Sequence, residues 1–85
     1  YHHERKFEML HIELDPGSRS VSEAHEPGTE EFILVYEGCF VLETDGKRHY
    51  VEAGNAIHFQ ADRPHVYENG CDGNTRICML IYYQK

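Results

Sequence analysis

The sequence predicts an all-β fold in which short antiparallel strands form a sandwich or a barrel. Apolar and polar residues alternate with a period of two along most of the chain, and helical periodicity is almost absent. Turn-forming Gly, Pro, Asp and Asn residues recur roughly every ten residues between the apolar segments. Strands at this spacing, expected to number seven to nine, are typical of a sandwich or barrel, and no long helix is expected.

The first predicted strand is KFEMLHIEL, which the turn Asp15-Pro16-Gly17 ends. A polar stretch from Ser18 to Thr29 follows, and no strand is predicted within it. The segment EEFILVYEG then begins a long apolar strand that we expect to continue past Gly38 into CFVLETD.

The second half of the chain repeats this alternation of strands and turns. Asp45-Gly46 is a strong hairpin signal, and KRHYVE is the returning strand. A turn at 53–55 precedes the strand AIHFQA, and a turn at 62–64 precedes the strand HVYEN. The loop NGCDGN leads into the last predicted strand, RICMLIYYQ.

Length and charge limit the classes of protein to which the chain can belong. Its 85 residues are enough for one small domain, 1–85. The net charge is −7, and the basic residues are scattered, so this chain alone is expected to repel nucleic acid. No apolar run approaches the roughly 18 residues of a membrane span, and no membrane association is expected.

The cysteines and the start of the chain bear on its location and origin. Cys39, Cys71 and Cys78 are odd in number, have no CxxC spacing and follow no signal peptide. This pattern favours a reducing cytoplasm, with Cys39 and Cys78 as small apolar strand residues. Because the chain begins at Tyr1 without a methionine, we expect it to be the C-terminal part of a longer protein.

Side chains that can bind a metal or a polar ligand lie on two separate segments. His25 and Glu31 are six residues apart, an even separation that keeps both on one face of an extended chain, although Pro27 and Gly28 interrupt the segment. His65 begins the HVYEN strand directly after a turn. If the two segments fold over each other, two imidazoles and one carboxylate meet at one mouth of a barrel.

The spacing of these residues resembles the two motifs of the cupin superfamily. The first motif consists of a glycine, the sequence HxH, a glutamate and a second glycine. Its positions are matched here by Gly17, His25, Glu31 and Gly38. Pro27 occupies the place of the second histidine, so that three of the family's four metal ligands are present.

The second cupin motif combines a glycine, the sequence PxG, a histidine and an asparagine. Gly54, His65 and Asn69 match it with the usual spacing, whereas Gln60 and Asp62 replace the proline and the second glycine. The resemblance implies that Asn69 has a structural role, bonding local backbone. The two motifs together cover essentially the whole chain.

The resemblance implies a double-stranded β-helix, the antiparallel jelly-roll barrel of cupins. The segments HEPGTEEFILVYEG and GNAIHFQADRPHVYENG are most similar to the C-terminal sensor domain of bacterial XRE-type helix-turn-helix transcription regulators. In that group the cupin domain dimerises and senses a small molecule, while an upstream helix-turn-helix domain binds DNA. The partners implied are therefore a small-molecule effector and a second copy of the chain.

Two interpretations of the histidines and the carboxylate remain open. The candidate metal set is His25, Glu31 and His65, a two-histidine, one-carboxylate combination that suits Fe(II) and can also hold Zn or Ni. The alternative is a polar pocket mouth in which these groups bond to each other and to water. The predicted effector pocket adds apolar and polar lining to this set: His25, Glu31, His65, Tyr67, Ile33, Val35, Phe59 and His58. Because His58 has the parity opposite to Phe59, it faces either this pocket or a subunit contact.

The strand that contains Glu31 is apolar on both faces. If Glu31 points inward, Ile33 and Val35 point inward with it, and Phe32, Leu34 and Tyr36 point outward. Both apolar faces of such a strand must be shielded from water, and we expect a second subunit to shield the outer face. The alternative is that sheet-on-sheet packing within one chain covers both faces.

Three functions are consistent with these observations. The first is an effector-sensing and dimerising domain of a helix-turn-helix regulator, which is not itself an enzyme. The second is a stand-alone metal-dependent cupin enzyme, an oxygenase or isomerase, which uses the three ligands. The third is a dimerisation module without a ligand. Fold alone does not rank them, because one barrel supports many chemistries.

Overall fold

The computed structural model describes residues 6–83, which form eight β-strands in two antiparallel sheets. Residues 1–5 and 84–85 of the predicted domain 1–85 lie outside the described range. The strands are β1 Phe7–Leu14, β2 Arg19–Ser22, β3 Glu30–Glu37, β4 Cys39–Thr44, β5 Lys47–Glu52, β6 Ala56–Gln60, β7 His65–Asn69 and β8 Thr75–Tyr82.

One sheet has the strand order β1-β8-β3-β6 and the other the order β2-β7-β4-β5. The predicted all-β jelly-roll barrel is confirmed. Between residues 6 and 83 there is no helix long and apolar enough to cross a membrane.

The core lies between the two sheets and follows the alternation of the strands. On β3, Ile33 and Val35 are fully buried, whereas Phe32 and Leu34 are 40% and 41% exposed on the opposite face. The predicted facing of this strand is therefore confirmed. The buried apolar side chains are Ile33, Val35, Phe40, Val41, Leu42, Val51, Phe59, Ala61, Ile77, Met79 and Ile81.

The predicted continuous strand through Gly38 is wrong, because the chain changes sheets there. β3 belongs to the first sheet and β4 to the second. Gly38 has a φ of 84°, and a Cβ at this position would lie 2.7 Å from the Asn74 carbonyl oxygen. Only glycine combines this backbone conformation with so close an approach of another segment.

The hairpin between β4 and β5 forms where the sequence predicts it. Asp45 and Gly46 have φ values of 55° and 74°, which are the positive angles of a type I′ turn. This turn matches the twist of the two strands, so Thr44 pairs with Lys47 across a two-residue loop.

Strand β2 lies within the polar stretch for which the sequence predicts no strand. Its backbone pairs with β7, from Arg19 opposite Glu68 to Ser22 opposite His65. It is an edge strand whose one large apolar side chain, Val21, is 69% exposed. Without a buried face the strand has no hydrophobic alternation, and its formation depends on the neighbouring backbone.

The prediction that Cys39 is an unpaired strand residue is wrong. Cys39 at the start of β4 forms a disulfide with Cys71 in the loop before β8, with the two Cα atoms 5.6 Å apart. The Gly70 N–H donates a hydrogen bond to the Cys39 carbonyl oxygen and holds this loop beside β4. Cys78 is free, as expected. The pairing joins residues 32 positions apart, a contact that only the topology creates.

Candidate functional site

The segment that carries His25 is held against the end of β6 by backbone hydrogen bonds. The His25 N–H donates to the Ala61 carbonyl oxygen, and the Ala61 N–H donates to the Thr29 carbonyl oxygen. Between these two contacts, the Gly28 N–H donates to the Asp62 carboxylate at 2.9 Å. The first and second predicted motifs therefore lie side by side at one end of the barrel.

Glu31 is the centre of the polar cluster at this end of the barrel. Its side chain is fully buried, because the position has the inward parity of β3. One carboxylate oxygen, Oε2, lies 3.0 Å from His25 Nε2, and the other, Oε1, accepts a hydrogen bond of 2.6 Å from the Tyr67 hydroxyl. A buried carboxylate is stable only with such partners, so this arrangement specifies the position of each of them.

His65 is the second imidazole of the cluster and is 1% exposed. Its Nδ1 lies 2.8 Å from the Arg63 carbonyl oxygen, which can only accept, so Nδ1 carries the hydrogen. Its Nε2 therefore faces inward, 2.9 Å from the Tyr67 hydroxyl oxygen and 3.7 Å from Glu31 Oε2. The ring also lies edge-on to Phe59, with a centroid distance of 5.2 Å.

Tyr67 connects the carboxylate with His65. It lies two residues after His65 on β7 and therefore has the same facing. Burial, followed by its hydrogen bond to Glu31, raises the pKa of Tyr67 above its ordinary value. The phenol is accordingly neutral at physiological pH and acts as the hydrogen-bond donor to Glu31.

The structure brings five of the eight predicted site residues together. His25, Glu31, His65 and Tyr67 form the cluster, and Phe59 contacts it. Ile33 and Val35 belong to the closed core beneath. His25 is the accessible edge of the cluster, since its side chain is 32% exposed while those of Glu31 and His65 are completely buried.

The predicted place of His58 in the pocket is corrected. Its ring stacks on Phe32 at a centroid distance of 4.2 Å, on the outer face of the first sheet. Its Nε2 contacts the Glu30 carboxylate, which lies on that outer side too. His58 has the parity opposite to Phe59, so it cannot reach the interior.

Asn69 is the structural residue that the resemblance implies. Its side-chain amide donates to the carbonyl oxygens of Leu14, Asp15 and Gly73, and its oxygen accepts from the Cys71 N–H. It thereby joins the ends of β1 and β7 to the loop that carries Cys71.

Sequence reasoning did not identify Asp62 as a functional position. Asp62 replaces the usual second glycine of the second motif, and it anchors the His25 segment through Gly28. That hydrogen bond is the main cause that lowers the pKa of Asp62. The signal available in the sequence is the departure from the motif itself, because a charged residue at a turn position usually bonds nearby backbone.

Two donor types at this site, imidazole and carboxylate, are those that bind transition metals. One ligand atom from each of His25, Glu31 and His65 lies within 4.8 Å of the others. Imidazole and carboxylate suit Zn, Fe and Ni, so the residues fit a metal ion chemically. The same groups also form a continuous hydrogen-bonded network without one, and both interpretations of the sequence remain compatible with the geometry.

Taken together, the two antiparallel sheets and the imidazole–carboxylate cluster at one end define a small β-barrel domain with a buried polar cluster. The family model for the cupin domain, Cupin_2, matches residues 10–82. The chain therefore belongs to the cupin domain family.

One curated relative is a transcription regulator. The chain is 33% identical over 79 residues to the HTH-type transcriptional regulator SutR of Escherichia coli K12, covering 93% of this chain and 44% of SutR. It thus spans less than half the length of this curated relative.

Solved structures agree with this assignment. The cupin domain of an XRE family transcriptional regulator from Enterobacter cloacae has a TM-score of 0.90 and 31% identity, covering 94% of this chain and 84% of that chain. An HTH_3 family transcriptional regulator from Vibrio cholerae has a TM-score of 0.89 and 26% identity, covering 94% of this chain and 44% of that chain. The chain is thus homologous to the cupin domains of such regulators.

Proposed function

We propose that this chain is the effector-sensing and dimerising domain of a bacterial helix-turn-helix transcription regulator. The observation that carries the proposal is its similarity, over 93% of its length, to a regulator of which it covers only 44%. The remainder of such a protein has room for a DNA-binding domain. The chain is then the C-terminal part of a cytoplasmic protein that contacts DNA only through the upstream domain.

The effector binds at the cluster of His25, Glu31, His65 and Tyr67. Support comes from the buried Glu31 carboxylate, whose partners present both donors and acceptors to a polar molecule. The effector reaches the cluster from the side of His25, whose side chain is 32% exposed. It then competes with Glu31 for the His25 imidazole and displaces the segment that Gly28 and Asp62 hold.

The outer face of the first sheet is proposed as the contact with a second copy of the chain. A groove of about 330 Å³ on this face is lined almost entirely by apolar side chains, among them Met9, Phe32, Leu34, Ile57 and Leu80. The face exposes three large apolar side chains: Phe32 is 40%, Leu34 41% and Tyr36 47% exposed. Monomeric proteins seldom leave such a cluster open to solvent. A chain of net charge −7 repels other acidic surfaces, whereas an apolar groove can pair with its copy on a second chain.

The effector acts by changing how two such chains are arranged. Half-site spacing on DNA mirrors the geometry of a dimer, so a small rotation between the two chains changes operator affinity. Such a ligand shifts the equilibrium only by its differential affinity for the two arrangements. β3 carries both Glu31 on its inner face and Phe32 on its outer face, and it connects the cluster with the proposed dimer contact.

A metal ion, if the site holds one, is bound by His25, Glu31 and His65. That ion would supply a Lewis-acid centre for an anionic or carbonyl group of the effector. The protein's own residues keep their roles in either case: Arg63 orients the His65 ring through its carbonyl oxygen, and Asp62 positions the His25 segment.

The proposal is tested on the intact coding sequence that contains this chain. We expect a helix-turn-helix region before Tyr1, binding of duplex DNA by the full-length protein, and no DNA binding by residues 1–85 alone at physiological salt, because a chain of charge −7 gains nothing from counterion release. In thermal-shift measurements against a panel of small polar metabolites, at least one compound should raise the unfolding midpoint.

His25→Gln is the test variant for the effector site, since glutamine keeps a hydrogen-bond donor for Glu31 but removes the imidazole. The shift should be lost in this variant and kept in His58→Gln, which alters the outer face. Stoichiometric iron together with turnover of a substrate would instead support the enzyme alternative. A start codon close to Tyr1 and no helix-turn-helix would contradict the regulator proposal.

A further inference from the structure

The disulfide between Cys39 and Cys71 lies on the outer side of the barrel, at the end remote from His65. It attaches the loop 70–74, which leads from β7 in the second sheet to β8 in the first, to the start of β4. Cys39 has the parity opposite to Phe40, which belongs to the core, and both cysteines are partly exposed. A small thiol or disulfide can therefore reach the bond from solvent.

Hydrogen bonds hold the two cysteines in place independently of the bond between their sulfur atoms. The Gly70 N–H donates to the Cys39 carbonyl oxygen, and the Cys71 N–H donates to the Asn69 side-chain oxygen at 2.7 Å. The Cys39 N–H donates to the Thr75 hydroxyl oxygen at 3.1 Å. Opening of the disulfide therefore leaves two thiols close together, and the bond can form again while the chain stays folded.

The third cysteine is typical of a protein from a reducing compartment. Cys78 on β8 is free although it is partly exposed, whereas an unpaired cysteine in an oxidising compartment tends to pair with another chain. The proposed function also places the chain in the cytoplasm, where glutathione keeps thiols reduced. Disulfides that form there are usually transient and serve catalysis or redox sensing.

We propose that Cys39 and Cys71 form a reversible redox site whose oxidant is a low-molecular-weight disulfide such as oxidised glutathione. One protein thiolate attacks a sulfur of the small disulfide, forms a mixed disulfide and releases one small thiol. The second protein thiolate attacks the protein sulfur of this mixed disulfide and releases the second small thiol. The protein pair loses two electrons and two protons, and the small disulfide takes up both. The inference rests on the cytoplasmic location given in the proposed function.

The two oxidation states differ in the freedom of the loop 70–74. Residues 72–74 are exposed, and in the dithiol state the hydrogen bonds of Gly70 and Cys71 hold the loop. Closing the disulfide adds a covalent attachment to β4. β8 begins directly after this loop and carries Leu80 in the apolar groove of the first sheet. The redox site thus controls the loop that precedes a strand of the proposed dimer contact.

The first test is a titration of the chain with mixtures of reduced and oxidised glutathione. An alkylating reagent blocks the free thiols after equilibration, and mass spectrometry of proteolytic peptides identifies them. We expect Cys39 and Cys71 to be free thiols at about a hundredfold excess of reduced over oxidised glutathione, and bonded to each other as the ratio approaches unity. Cys78→Ser is the matched control and should undergo this transition at the same ratio as wild type.

The second test measures hydrogen exchange in the loop. The amide hydrogens of Gly70 and Cys71 should exchange at least about tenfold more slowly in the oxidised chain, because the disulfide opposes local opening of the loop. The Thr29 N–H, which donates to the Glu26 carbonyl oxygen at the opposite end of the barrel, should exchange equally in both states. Equal exchange of the loop amides in both states would disprove the effect of the disulfide on the loop.

The possible results separate this inference from the proposed function. A pair that stays bonded throughout the titration is a permanent structural disulfide and would overturn the inference. A pair that never closes, or that ends as a mixed disulfide with glutathione, would overturn it too. Each of these results leaves the thermal-shift and DNA-binding tests of the proposed function unaffected. A coding sequence without an upstream helix-turn-helix would contradict the proposed function, whereas a transition at the expected ratio would still support the redox site.

Discussion

At the scale of single residues, the site is defined by buried polar groups whose partners are specified. Glu31 is completely buried, and its two oxygens contact His25 and Tyr67. Asp62 does not contact Glu31 in the cluster; its carboxylate accepts a hydrogen bond from the Gly28 N–H and so holds the segment that carries His25. Glu31 therefore positions the side chains of His25 and Tyr67, and Asp62 positions the backbone that carries His25.

Asp62→Asn is predicted to destabilise the chain in a pH-dependent way. The hydrogen bond from Gly28 lowers the pKa of Asp62 in the folded state. A carboxyl whose pKa is lower in the folded than in the unfolded state contributes stability above its unfolded pKa of about 3.9, and this contribution is lost as the pH falls. In urea titrations, wild type should be more stable than Asp62→Asn at pH 7.

The difference in stability should shrink as the pH falls below about 4. Asp72→Asn, at an exposed position of the loop before β8, is the matched control and should have little effect at either pH. A difference between wild type and Asp62→Asn that stays constant from pH 7 to pH 3 would contradict this role of the carboxylate.

At the scale of elements, the loops at the strand ends join the two sheets. Gly38 takes the chain from β3 in the first sheet to β4 in the second. Asn69 joins the end of β7 to the end of β1, and the disulfide between Cys39 and Cys71 joins the start of β4 to the loop before β8. These connections lie at the end of β7 remote from His65, and they fix the strand that carries His65 and Tyr67.

Cys71→Ser is predicted to lower the free energy of unfolding by about 2–4 kcal/mol under oxidising conditions, because the disulfide restricts the unfolded chain across 32 positions. Chemical denaturation with and without dithiothreitol measures it, and the difference from wild type should disappear in the reductant. Cys78→Ser serves as the control, since Cys78 is free and should show no dependence on dithiothreitol. Equal stability of wild type and Cys71→Ser in oxidising buffer would mean that the disulfide does not stabilise the fold.

At the scale of the whole molecule, the two sheets present different outer surfaces. The first sheet exposes Phe32, Leu34 and Tyr36 around an apolar groove. The second sheet carries ion pairs of Arg19 and Arg48 with Glu43 and Glu68. The first sheet also has ion pairs of Arg76 with Glu13 and Glu37, but its apolar groove favours it as the surface that a second chain covers.

Leu34→Glu is predicted to convert a dimer into a monomer. The substitution places a charge on the apolar groove and, in a two-fold contact, does so twice at one interface. Light scattering at tens of micromolar protein should give the mass of two chains for wild type and of one chain for the variant. Val21→Glu, at a 69% exposed position of the second sheet, should remain a dimer. A monomeric wild type would disprove the proposed contact.

The sequence by itself determined the class of fold, most of the strands and the identity of the cluster. Period-two alternation and the turn Asp45-Gly46 are local signals, because strand facing and hairpin chirality depend on neighbouring residues. Glu31, His25 and His65 were identifiable since their spacing resembles a known pair of motifs. The facing of Ile33 and Val35 followed from that of Glu31.

Only the tertiary structure decided the features that depend on contacts between distant segments. Strand β2 has no buried face to mark it in the sequence, and it forms because β7 offers it a backbone partner. The change of sheet at Gly38, the disulfide of Cys39 and the anchoring role of Asp62 all arise where separate loops meet. His58 was placed on the wrong side because an alternating strand has two faces, and the sequence near it does not say which one meets the core.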